Sequence, residues 1–243
     1  MTGLIVASFG TLDDRERART IDAIENDLIA EFPSMMIRAA LTSKFIRRKL
    51  TERGLKVFSI EERIEELRAD CDEIIILPTH LTPGEEYENK ILPLASKKIR
   101  VLPPMFTTEC RTEFDRRALE IVIECFRPSG DEILTLIGHG SPHRHNPVYE
   151  NLQRLDENIC IGVIEPTDRP NFDDVIERLK KFETKKILLA PLLLTGGAHV
   201  CEDIADHWFN RLKAGGFDVR VALDGLGSFA AFRRLYIDRL RAV

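Results

Sequence analysis

Apolar residues in this chain fall into short continuous runs separated by longer segments with helical spacing. Residues 4–9 (LIVASF), 74–77, 132–137 and 187–194 are such runs, the last broken only by Pro191. Runs of this length, closed by Gly, Thr or Pro, read as strands buried on both faces of a sheet. Residues 36–40, 100–102, 160–164 and 219–223 are weaker strands of the same kind. Between them the period changes. Ile21, Ile24, Leu28 and Ile29 share one face of a helix that Asp13 or Asp14 can cap and Pro33 ends. Thr42 and Ser43 cap a helix beginning at Lys44. Ser59 and Glu62 form a capping-box signature for residues 59–69. Glu85, Glu86 and Glu88 open another helix, where carboxylates suit the helix dipole. Further helices are predicted over 113–126, 172–182 and 228–241. Strands alternating with helices at this spacing predict an α/β fold with a doubly wound parallel sheet.

The plan occurs twice. The segment Pro78-Thr-His-Leu-Thr82-Pro-Gly84-Glu-Glu86 aligns with Pro191-Leu-Leu-Leu-Thr195-Gly-Gly197-Ala-His199, so Glu86 falls where His199 falls. Residues 138–141 (GHGS) close a strand in the second half where Phe9-Gly10-Thr11 closes one in the first. With Arg127-Pro128-Ser129-Gly130 as a linker turn, two similar Rossmann-like halves are expected, residues 1–128 and 129–243, facing each other across a cleft.

Composition narrows the class. A net charge of −5 argues against a nucleic-acid partner. No run approaches the roughly 20 apolar residues of a membrane helix, and no secretory leader is apparent at the start. The five cysteines are scattered without a CxxC pair, which fits free thiols in a reducing cytoplasm. A homo-oligomer is compatible with the sequence, which carries no signal for or against one.

In open α/β sheets, ligands bind beyond the carboxyl ends of the strands. The residues there are Ser8, Thr11, His80, Glu85, Glu86, His139, His143, His145 and His199. Neutral imidazole is both a metal ligand and a proton acceptor near neutral pH. Two histidines and a carboxylate from different strand ends suit a divalent first-row ion with open coordination positions. His139, between two glycines after a buried strand, and His199 are the foremost candidates. Glu86 reads equally as a helix-start carboxylate. His143 and His145, in a Pro-bounded loop, read as surface histidines. Asp203, four residues after His199, is placed to hold its ring. Cys201 reads as a buried thiol before it reads as a ligand. Residues 44–56 carry six basic residues against one acid, Glu52; this is either a solvated face or a cradle for carboxylates.

The pieces SFGT (8–11), TSKFIRRKL (42–50), GEEYE (84–88), GHGSPH (138–143), IGVIEP (161–166) and GGAHVCEDIA (196–205) resemble the class II tetrapyrrole chelatases, and within them the sirohydrochlorin cobaltochelatases of anaerobic cobalamin biosynthesis in their long, internally duplicated form. The resemblance implies insertion of Co(II) into sirohydrochlorin with release of two protons. It implies a substrate ion and no permanently bound cofactor. His139 and His199 match the family's metal-binding, catalytic histidines, and Glu86 matches its third active-site residue. Ser8, Thr11 and His80 become substrate-contact candidates. So do Arg47 and Arg48, since a guanidinium forks onto carboxylates. Iron or nickel insertion, or metal and tetrapyrrole binding without turnover, are the alternatives. The sequence departs from the family's usual G-D-H-A-x-N-D-M at Ala198 and Glu202, on either side of the histidine, which bears on metal preference.

Overall fold

In the computed structural model, β1 (Thr2–Ser8), β2 (Met36–Leu41), β3 (Glu73–Pro78) and β4 (Ile99–Val101) form one sheet in the order β2-β1-β3-β4. All its pairings are parallel. A second parallel sheet has the order β6-β5-β7-β8, made of β5 (Ile133–Gly138), β6 (Cys160–Val163), β7 (Lys186–Pro191) and β8 (Asp218–Val221). The two orders are the same permutation, as the internal sequence match predicts. Residues 1–197 and 201–243 are described, the side chains of Cys201 and Glu202 excepted. Among them, no helix is long and apolar enough to cross a membrane.

The central strands are apolar on both faces because both faces are covered by helices. Leu4, Ile5, Val6 and Ala7 of β1 are buried, as are Ile187, Leu188, Leu189 and Ala190 of β7. In the first sheet, Ile60, Ile64 and Leu67 of the helix Ile60–Leu67 pack with Ile5, Ala7 and Ile76. In the second, Val175 and Leu179 pack with Ile137, Ile187 and Trp208. The expected capping box at Ser59 and Glu62 is present, and Thr112–Asp115 and Asn171–Asp174 form two more.

Three local expectations change. The first helical segment is two helices, Asp14–Arg19 and Ile21–Glu31, broken at Thr20, whose backbone (φ −122°, ψ −78°) leaves the helical region. The run 187–194 leaves its ladder after Pro191. There Leu192 N–H still donates to Ile137 O, while Leu193 and Leu194 carbonyls accept from Leu226 and Gly227. From Tyr87, directly after Glu85 and Glu86, the backbone is a π-helical turn, Tyr87–Ile91, that includes Glu88.

The chain divides into two compact units, Met1–Phe106 with Arg233–Val243, and Thr107–Phe232. These units are not the sequence halves 1–128 and 129–243. Asp115, in the helix Glu113–Phe126, accepts from Thr107 N, Thr107 Oγ1 and Thr112 N, which ties that helix to the start of the second unit. The end of the terminal helix (Ala230–Arg241) belongs to the first unit. There Arg233 pairs with Asp27 at 2.6 Å, Arg239 donates to Met105 O, and the buried Tyr236 hydroxyl donates to Thr79 O at 2.8 Å.

Candidate active site

In each sheet the strand order reverses between its two central strands, β1 and β3 or β5 and β7. Helices leave these two in opposite directions, so a crevice opens at their carboxyl ends. The first sheet places Ser8–Gly10 and Thr79–His80 there. Thr79 Oγ1 donates to Ser8 Oγ at 2.9 Å, and Ser8 is buried. Thr11 is half-buried and its hydroxyl accepts from Asp13 N, the N-cap residue of the next helix.

His80 is the unusual group of the first unit. Both its ring nitrogens are sealed from solvent and neither has a hydrogen-bond partner; the exposed part of the residue lies elsewhere. Burial pushes its pKa down to about 4, against an opposing pull from Glu86. It is therefore a neutral imidazole at neutral pH. Glu86 lies just before the π-helical turn, and its carboxylate meets the ammonium of Lys90, one turn on, at 2.8 Å. Glu85 is exposed.

The basic segment forms the helix Lys44–Glu52, capped by Ser43. Ile46 and Leu50 anchor it. Arg47 is half-buried and donates to the Leu41 carbonyl. Arg48 is the exposed guanidinium of the pair, 3.7 Å from Glu52.

In the second unit, His139 is exposed at the end of the fully buried β5. The two glycines around it are required by contacts. A Cβ on Gly138 would lie 2.2 Å from the Tyr149 ring. Gly140 has φ +77°, and a Cβ there would lie 2.9 Å from that of Glu165. The carbonyl of His139 accepts from Glu165 N at 3.0 Å, and that of Gly138 from Ile164 N. Rigid backbone thus presents an exposed imidazole.

The loop after His139 is held by a residue the sequence reading did not select. Asp168 is buried, and it accepts from Ser141 N (2.9 Å), Asn146 N (3.1 Å), Arg169 N (2.8 Å) and His145 Nδ1 (2.8 Å). His145 also lies 3.4 Å from Glu150. His145 is exposed, as expected of a surface histidine, and its ring is part of this tie. His143 is exposed, and its backbone N–H donates to Ser141 Oγ. Glu165 is the second residue missed; an acid directly after a buried strand, in IGVIEP, was the available signal. Its carboxylate accepts from Thr167. It also lines a cavity of about 440 Å³ with Asp203, His207, Trp208 and Arg211.

Ala198, His199 and Val200 lie outside the described residues, as do the side chains of Cys201 and Glu202. The expectations placed on His199, Cys201 and the two departures are therefore not addressed by the geometry. Among the described residues, no group of three or more His, Cys, Asp or Glu is arranged to hold a metal ion.

Comparison with known proteins agrees with the duplicated α/β plan. A family model described as cobalt chelatase (CbiK) matches residues 2–243. The sirohydrochlorin cobaltochelatase CbiKC of Nitratidesulfovibrio vulgaris is 25% identical over 256 residues, covering 99% of this chain and 89% of the relative. The sirohydrochlorin cobaltochelatase of Salmonella typhimurium is 28% identical over 259 residues, covering 98% and 94%. Among solved structures, SirB from Bacillus subtilis with Fe3+ superposes with a TM-score of 0.66 at 16% identity, covering 99% of this chain and 94% of that one. CbiX, described as the terminal enzyme of siroheme biosynthesis in denitrifying bacteria, superposes at 0.60 and 19% identity, covering 100% and 99%. At these identities the structural matches speak for the fold.

Proposed function

The chain belongs to the cobalt chelatase (CbiK) family, and we propose that it inserts Co(II) into sirohydrochlorin in the anaerobic route to cobalamin, releasing two protons. The observation that carries the site assignment is His139, an exposed imidazole on a backbone locked between Tyr149 and Glu165 at the switch point of its sheet.

Metalation makes three demands on a protein. The hydrated ion must lose water, it must meet one face of the macrocycle, and two pyrrole N–H protons must leave. A fixed imidazole serves the first and the last. Neutral nitrogen is a good ligand for a first-row divalent ion, and once the metal moves on it can accept a proton. His139 and His199 take this role, with Glu86 as the carboxylate that offsets the ion's charge and passes a proton onward. Lys90 already sits on that carboxylate at 2.8 Å, so a divalent ion would displace a monovalent partner. Burial keeps His80 neutral, so it adds no positive charge to that strand end. Ser8 and Thr11 are polar groups at the same strand end for the substrate's rim. The cytoplasm is the compartment we assign. Free thiols at Cys71, Cys110, Cys125 and Cys160 support it.

The decisive experiment follows the absorbance of free sirohydrochlorin with Co(II), Fe(II) and Ni(II) side by side. Catalytic metalation fastest with Co(II) is expected. Stoichiometric binding without turnover would mean a carrier, and a faster rate with another ion would reassign the metal.

A further inference from the structure

Six large hydrophobic residues among those described are exposed: Met1, Phe9, Ile29, Phe45, Leu92 and Val243. Met1 and Val243 are chain ends. The two aromatic ones, Phe9 (51% exposed) and Phe45 (54%), emerge from abutting backbone. Phe9 is the first residue after β1, beside Ser8. Its carbonyl accepts from Ser43 N at 3.3 Å, at the start of the basic helix. The next residue, Gly10, has φ +103°, and a Cβ there would lie 2.9 Å from Ile46 Cγ2. Gly10 and Ile46 therefore touch, and the residue before each is a phenylalanine open to water. Folding gains little from either ring. Exposed aromatics at a strand end where ligands bind mark a recognition surface.

Cations flank the Phe45 ring. Arg48 stands with its guanidinium 5.6 Å from the Phe45 ring centroid and a side chain 64% exposed, with only a loose 3.7 Å approach to Glu52. Lys44 is exposed beside it. Two apolar ring faces bordered by cations complement a flat, conjugated, polycarboxylate molecule.

We infer that Phe9, Phe45, Arg48 and Lys44 form the surface of the first unit on which the tetrapyrrole docks, the rings against its conjugated plane and the cations at its rim carboxylates. The inference rests on the sirohydrochlorin reading above and deepens it. Phe9 and Phe45 supply contact that does not depend on the metal, so the macrocycle docks without it. Arg48, stacked on Phe45, is pre-oriented to fork onto a carboxylate. Arg47, the other candidate of the pair, is half-buried and donates one N–H to the Leu41 carbonyl.

The test is metal-free binding of sirohydrochlorin to the full chain, read from quenching of sirohydrochlorin fluorescence. Phe9→Ala and Phe45→Ala should each raise Kd about tenfold and the double variant more, while Phe45→Trp should bind at least as tightly as wild type. Arg48→Gln should raise Kd and flatten its dependence on salt. Both rings are exposed, so thermal unfolding should not move. Binding by the double variant equal to that of wild type overturns the inference and leaves the chelatase reading standing. Absence of binding by the wild-type chain overturns the substrate assignment, and the inference with it.

Discussion

His145 Nδ1 lies 2.8 Å from Oδ1 of the buried Asp168, and the same carboxylate gathers the backbone N–H groups of Ser141, Asn146 and Arg169. One carboxylate thus fixes the loop that follows His139. Asp168→Ala strips these donors of their acceptor at a buried position. A loss of about 2–4 kcal/mol in unfolding free energy is expected. Metalation should fall even at temperatures where the variant is fully folded. His145→Ala removes one exposed arm of the tie and should cost about 1 kcal/mol or less. Equal stability of the Asp168 variant and wild type in denaturant titration would show that the loop is held by something else.

His139→Ala should reduce metalation to background without shifting the unfolding midpoint, because the imidazole is exposed and contributes little to packing. His199→Ala should do the same to activity. A metal-binding titration run beside the kinetics separates loss of the ion from loss of proton transfer. Wild-type turnover in either variant would remove that histidine from the site.

Glu86→Gln keeps the shape of the side chain but loses its charge, and frees Lys90. The rate of metalation should drop by about 10–100-fold, the range for a positioned proton acceptor. The Kd for sirohydrochlorin should change far less. Unchanged kcat would mean that the carboxylate only closes the ion pair with Lys90.

His80 makes the protein sensitive to acid. Its pKa falls from 6.5 to about 4 on folding. A base with a depressed folded pKa favours folding while it is neutral, so its contribution is complete above about pH 6.5 and is lost as pH falls toward 4. The lowering corresponds to about 3 kcal/mol at ~1.4 kcal/mol per unit, of which about 2 kcal/mol disappears between pH 7 and 5. His80→Gln cannot titrate. Its stability relative to wild type should therefore rise by that amount across the same interval, measured by urea unfolding at each pH. Parallel stability curves for the two proteins would place the titrating group elsewhere.

Gly138→Ala should be severely destabilising, because its methyl would lie 2.2 Å from the Tyr149 ring. Overpacking of this kind typically costs about 1–3 kcal/mol. Shrinking the neighbour tests the cause: Tyr149→Leu should restore part of the stability of Gly138→Ala, whereas additive losses in the double variant would point to backbone strain.

The sequence by itself determined the α/β class, the buried strands and the doubling of the plan. Continuous apolar runs such as those of β1 and β7 occur where both faces of a strand are covered, and the spacing from Pro78 to Gly84 repeats from Pro191 to Gly197. It also singled out His139, since a histidine between glycines at a strand end is visible as a local pattern. The capping box of Ser59 and Glu62 was legible for the same reason, being an interaction over three residues. Tertiary structure decided what depends on partners distant in sequence. Asp168 gathers donors as far back as Ser141, 27 residues away. Tyr236 reaches Thr79 across 157 residues and draws the end of the chain into the first unit, where no linear boundary would place it. Arg47 and Arg48 are neighbours of the same type in the sequence. Only the packed helix decides which guanidinium faces the carbonyl of Leu41 at the end of β2 and which faces water, because a helix turns about 100° per residue.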